Sequence, residues 1–148
     1  MSNWNGKLFP VVALLLGACL DGRADPVSTP WRNDVAVMGW DMVSLYAGEP
    51  KRGSRDFVHE YRGAEWRFAS EATRDLFSFN PEAFLPEYGG YCAWAVAHDK
   101  LAQGNPEHST MVDGKLYLNF NDRTHRLWEL DRGQWLAKSE RYWPGVLE

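Results

Sequence analysis

Two glycine turns constrain this chain more than any other feature. Asp113-Gly114 stands between residues 110–112 and 115–120, the strongest hairpin signal in the sequence, and Arg62-Gly63 stands between residues 56–61 and 64–68. Glycine accepts the positive φ that a two-residue turn imposes, and the flanking runs are rich in β-branched and aromatic side chains. A two-residue turn at Arg62-Gly63 pairs Tyr61 with Ala64, sets His59 opposite Trp66 and Phe57 opposite Phe68, and puts these four side chains on one face, the expected buried one. Helix signals follow each hairpin at once. Ser70 is an N-cap for a helix over 71–79, with Ala72, Leu76 and Phe79 spaced to line one side, and Asn121 caps another over 122–130. Asn80-Pro81 opens a short helix that Pro86 ends. Gly133 interrupts before a further helical run over 134–142, which Pro144 closes. Antiparallel hairpins with helices packed on one face predict an α+β fold.

Between these signals the pattern is less regular. Val35-Ala36-Val37 reads as a short strand entering a turn, and Met42 to Tyr46 as another extended piece. From Tyr88 to Ala97 small residues alternate with bulky ones, so backbone is brought close to something, and periodicity leaves strand and helix start both open. Residues 25–33 carry Pro26 and Pro30 and read as an extended leader. Residues 34–148 contain no linker, low-complexity tract or repeat of solenoid period, which predicts a single domain.

The N-terminus reads as an address. Lys7, an apolar run from Leu8 to Leu20 and a polar stretch ending at Ala24 fit an export signal over residues 1–24, and the run is shorter than the about 20 apolar residues a membrane span needs. Leu16-Gly17-Ala18-Cys19 also resembles a lipobox. In that case residues 1–18 are removed, Cys19 is lipidated and Leu20 to Asn33 form a tether, so the membrane is met only through acyl chains. Both readings place the protein outside the cytoplasm, in the periplasm, soluble or lipid-anchored. Both also leave Cys92 as the only thiol available for side-chain chemistry, in a compartment where disulfides normally form.

The net charge of −4 and pI near 5.6 exclude a nucleic-acid binder, which needs a basic face. No G-x-S-x-G elbow, H-E-x-x-H pair, P-loop, EF-hand or G-x-G-x-x-G pattern is present, so an enzyme is not expected. What remains is Cys92 with four histidines. Thiolate and imidazole suit copper or zinc, which makes Cys92 and His98, six residues on, the first candidate ligands and His59 the third. Cys92 among Tyr91, Trp94 and alanines reads equally as a small buried hydrophobe, and His59 as a core histidine. His108 is expected to face solvent from a loop and His125 to lie on the surface without a partner. A thiol redox role at Cys92 lacks both a C-x-x-C partner and a basic neighbour. The other reading starts from the eight Trp. Trp66, Tyr91 and Trp94, with Trp40 and Tyr46, line an apolar cleft for a small molecule or protein partner, unless these aromatics simply build the core.

Five segments in order resemble the YHS-domain family, and within it the small exported bacterial members. They are Val35-Ala36-Val37-Met38-Gly39-Trp40-Asp41, the hairpin from Phe57 to Ser70, Asn80-Pro81-Glu82, Tyr88-Gly89-Gly90-Tyr91-Cys92-Ala93, and Val112-Asp113-Gly114-Lys115-Leu116-Tyr117-Leu118-Asn119. The resemblance implies a compact α+β module of a kind associated with heavy-metal handling. Metal-associated members carry a Cys just after the second hairpin strand, where this chain has Ala69, so that ligand is not carried over. The resulting expectation is a non-enzymatic extracytoplasmic YHS-like domain that binds copper or zinc through Cys and His. The alternative is an aromatic-lined binding module with no metal.

Overall fold

The computed structural model describes residues 23–30 and 33–148; the export signal and Cys19 expected from sequence lie outside the described residues. Both hairpins form, each as its own two-stranded antiparallel sheet: β1 (Ser54–Tyr61) with β2 (Ala64–Phe68), and β3 (Asn105–Val112) with β4 (Lys115–Asn119). The turn residues take the positive φ their sequence demands, 51° and 75° at Arg62 and Gly63, 50° and 76° at Asp113 and Gly114. Tyr61 pairs with Ala64 and His59 with Trp66, as expected. The pairing of Phe57 with Phe68 does not form, because β1 bulges between Ser54 and Val58 and brings Ser54 opposite Phe68.

Helices α2 (Glu71–Phe79) and α4 (Asp122–Leu130) start where their caps predict, each with a reciprocal capping box, Ser70 with Thr73 and Asn121 with Thr124. Helix α5 (Arg132–Tyr142) begins earlier than expected: the Asp131 carboxylate accepts the Gln134 N–H, so Gly133 sits inside the first turn and interrupts nothing. The face of α2 also differs from expectation. Phe77 is its buried residue, packed 5.1 Å from Trp66 and 5.0 Å from Phe68 by ring centroids, while Leu76 and Phe79 face solvent. Met42–Tyr46 is a helix, α1, because Asp41 caps it by accepting the Ser44 N–H at 3.1 Å, and Ala36–Gly39 before it is a 3-10 turn instead of a strand. The open segment resolves the same way, into a 3-10 turn (Glu87–Gly90) followed by α3 (Ala93–Val96).

These elements are one unit used twice. Every residue with positive φ in the described chain has a counterpart 51 positions away: Val37 and Tyr88, Met38 and Gly89, Gly39 and Gly90, Gly48 and Asp99, Arg62 and Asp113, Gly63 and Gly114. The hydrogen bonds repeat at the same spacing. Gly53 N–H to Gly39 O (2.8 Å) becomes Gly104 N–H to Gly90 O (3.1 Å), and Asp41 N–H to Lys51 O (3.0 Å) becomes Cys92 N–H to Ala102 O (2.8 Å). The isolated bridge Trp40–Arg52 recurs as Tyr91–Gln103, and both hairpins bulge at the matching place. Between the two copies only Gly39, Gly53, Gly63, Thr73, Leu76 and Leu85 keep their identity, at Gly90, Gly104, Gly114, Thr124, Leu127 and Leu136. The chain is therefore a tandem pair with a spacing of 51 residues.

Each copy centres its core on one helix aromatic, Phe77 in the first and Trp128 in the second, both fully buried. The segment expected as a leader is tied into this core. Val27 and Ser28 are buried, Ser28 N–H bonds Gly89 O at 2.8 Å, Ala24 N–H bonds Leu147 O at 2.7 Å, and the Tyr91 hydroxyl donates to Asp25 O at 2.9 Å. Among the described residues no helix is long and apolar enough to cross a membrane.

Candidate functional site

The second copy carries a cavity of about 310 Å³ where α3, the loop after it and the end of β4 meet. Cys92, Trp94, Ala95 and His98 come from α3 and its flanks, Lys100, Leu101 and Ala102 from the loop, and Phe120 and Thr124 from the approach to α4. Local sequence places the first four. Residues three or four apart on a helix share a side, so Trp94 and His98 stack, ring centroids 4.0 Å apart.

His98 is held on three sides. Its Nδ1 lies 2.6 Å from the Trp94 carbonyl oxygen, which can only accept, so Nδ1 carries the hydrogen and Nε2 is left for other partners. Trp135 of α5 also packs against the ring at 5.0 Å, with the Lys138 ammonium over that indole at 4.8 Å. Cys92 is fully buried and its thiol donates to Asn119 Oδ1 at 3.7 Å; the same oxygen accepts the Trp94 N–H at 3.2 Å. The walls are otherwise apolar, and Lys100, an exposed residue, brings a positive charge.

Of the three residues expected to ligate a metal, the structure brings together Cys92 and His98. His59 belongs to the other copy, half-buried on β1 against Phe77 at 5.9 Å. Among the described residues no three His, Cys, Asp or Glu side chains converge to hold an ion. Of the three aromatics expected in a cleft, Trp94 alone lines this cavity. Trp66 is a core residue whose indole N–H donates to Tyr61 O at 3.0 Å, and the Tyr91 ring packs on Trp143 at 6.2 Å.

Two further expectations are corrected. His108 lies within β3, half-buried, and His125 has partners: its Nε2 is 2.8 Å from the Thr110 hydroxyl, which donates to Glu129 at 2.6 Å. Residues 108 and 110 share a strand face, 125 and 129 a helix face, and the packing of α4 on β3 joins them. Lys100, Leu101, Phe120 and Thr124 were not singled out from sequence. A polar Asn119 ending an apolar strand was the one available signal.

Two other concavities carry less. One of about 350 Å³ runs past Arg62, Trp66, Tyr88 and Trp143, but Arg62 is already paired with Glu82 at 2.8 Å. The other, about 550 Å³, is lined by residues of α4 alone and is the flank of an exposed helix.

Comparison with family models, with curated proteins and with solved structures finds no match.

Proposed function

We propose that this chain is a non-enzymatic, extracytoplasmic YHS-like binding module whose ligand is a small molecule held in the cavity beside Cys92 and His98. One observation carries the reading: an imidazole whose Nδ1 donates to the Trp94 carbonyl, packed against the Trp94 and Trp135 indoles, lines a mostly apolar cavity of about 310 Å³. Apolar walls with a few fixed polar groups are the usual make-up of a small-ligand site. The Trp94 indole in the wall supplies the assay. A saturable change in tryptophan fluorescence with a metabolite fraction, lost in His98→Ala and retained in His59→Ala, supports the reading. A fluorescence response that His98→Ala leaves untouched removes it.

A transition-metal ion, copper or zinc, is the second reading, favoured by Cys92 and His98 lining the same cavity. The fit is incomplete. Structural zinc takes four ligands, and the described residues supply two here, one of them a buried thiol already bonded to Asn119. Titration of the reduced protein with Cu(I) and Zn(II) tests it: binding that Cys92→Ser leaves unchanged rejects this site.

A further inference from the structure

The tandem repeat says what the cavity is short of. In the first copy, Asp41 fills the position that Cys92 holds in the second. The Asp41 carboxylate bridges two backbone donors, Oδ1 taking the Ser44 N–H at 3.1 Å and Oδ2 the Ala69 N–H at 2.9 Å. The Ser44 hydroxyl takes a third, the Lys51 N–H, at 3.0 Å. The counterparts of these donors are the N–H groups of Ala95, Phe120 and Ala102. Both acceptors are gone, since Cys92 replaces Asp41 and Ala95 replaces Ser44. None of the three N–H groups has an acceptor among the described residues, and all three residues line the cavity.

Two more differences point the same way. Lys100 stands where the first copy has Glu49, so the second copy exchanges a negative side chain for a positive one at this site. Asn119, fully buried beside Cys92, spends its oxygen on Trp94 and the thiol and leaves Nδ2 without a partner among the described residues.

We infer that the ligand is a small carboxylate with an apolar body, and that its carboxylate takes the place in the second copy that the Asp41 side chain takes in the first. The Ala95 and Phe120 N–H groups receive the two oxygens, Ala102 N–H and Lys100 add a donor and a charge, and Trp94, Leu101 and Phe120 enclose the apolar part. Oriented backbone donors plus one cation in a partly dry site are what a carboxylate binds to. The inference rests on the cavity reading above but can fail separately from it.

The test is a backbone and side-chain NMR titration of the processed protein with phenylacetate and, in parallel, neutral phenylacetamide. Phenylacetate is expected to shift the Ala95, Ala102 and Phe120 amides together and saturably, with phenylacetamide at least about ten-fold weaker, the factor that losing a charge-assisted hydrogen bond implies. If both compounds move the Trp94 indole and His98 equally and leave the three amides in place, the cavity reading stands and the carboxylate inference falls. If neither moves any of them, both fall. Cys92→Asp gives a second arm, since it supplies the missing carboxylate from within. Phenylacetate binding is expected to drop at least about ten-fold in that variant, and unchanged binding overturns the inference. Should Cys92→Asp not fold, the wild-type amide shifts decide alone.

Discussion

Asp41 and Ala69 are 28 residues apart and joined by a single hydrogen bond, the Ala69 N–H to Asp41 Oδ2 at 2.9 Å. Through it one fully buried carboxylate both caps α1 and pins the end of β2, so helix entry and hairpin exit in the first copy depend on the same side chain. Asp41→Ala leaves two backbone donors without their acceptor in a buried site. The expected cost is about 3 kcal/mol in urea denaturation, the sum of a lost cap and a lost charged hydrogen bond. Asp41→Asn, which keeps one acceptor, is expected to cost about half as much. Equal stability of Asp41→Ala and wild type would show that the carboxylate does not organise this copy.

The two phenylalanines of α2 should separate sharply. Phe77 is fully buried and stacks against Trp66 and Phe68, whereas Phe79 is 91% exposed. Phe77→Ala is expected to cost about 4 kcal/mol, the range for emptying an aromatic site in a close-packed core. Phe79→Ala is expected to stay within about 0.5 kcal/mol of wild type. Comparable losses for both would mean that α2 presents the face that its Ala72, Leu76 and Phe79 spacing predicted.

That contrast marks the boundary of what the sequence discloses. Hairpin turns and helix caps are local chemistry: Arg62-Gly63, Asp113-Gly114, Ser70 and Asn121 determine their elements through neighbours within four residues, and each forms where expected. The facing of α2 is set from outside by where the bulged β1–β2 sheet lies, so an adequate 3.6-residue pattern pointed to the wrong side. Met42–Tyr46 is short and apolar, a length at which strand and helix look alike, and only the capping bond from Asp41 decides. The site divides along the same line. Cys92, Trp94 and His98 are neighbours along the chain and were legible as a group, whereas Phe120 and Thr124 reach the cavity through the β4–α4 corner. The tandem repeat was hidden because its shared information is conformational. Positive φ passes from Val37 to Tyr88 and from Gly48 to Asp99 with no residue type in common.

The repeat itself makes a paired prediction at Gly53 and Gly104. A Cβ on Gly104 would lie 2.6 Å from the Leu118 Cβ, and one on Gly53 would press equally on Arg67, the counterpart of Leu118. At Gly104 the Gly90 carbonyl is nearer still, and at Gly53 the obstacle is the Arg67 backbone with its Cβ, so in neither place is it the tip of a flexible side chain. Gly53→Ala and Gly104→Ala are each expected to cost about 3 kcal/mol, at the upper end for overpacking. Gly133→Ala, with open space around its Cβ and a helical position, is expected to be neutral or stabilising by up to about 1 kcal/mol. A tolerated alanine at either Gly53 or Gly104 would break the equivalence of the two copies at the point where helix and hairpin touch.

Alkaline pH should act on the second copy through its tyrosines. Burial is the main cause that pushes the Tyr117 phenol up to about 12 from its ordinary 10.0, with the negative charge of Glu87 adding to it, and burial raises Tyr88 beside it as well. A phenol with a raised pKa in the folded state keeps its proton there while the unfolded chain loses it. The folded state thus binds more protons once the pH passes the unfolded value, and stability falls as pH rises. The contribution is complete below pH 10.0 and is lost progressively towards about 12. Thermal melts at successive pH values are expected to show Tm level up to about pH 9 and declining steeply above about pH 10. Tyr117→Phe, which removes the ionisable hydroxyl and retains the ring against Trp128 at 5.5 Å, is expected to flatten that decline. An alkaline slope unchanged in Tyr117→Phe would assign the effect to other groups and leave the Tyr117 site without a role in it.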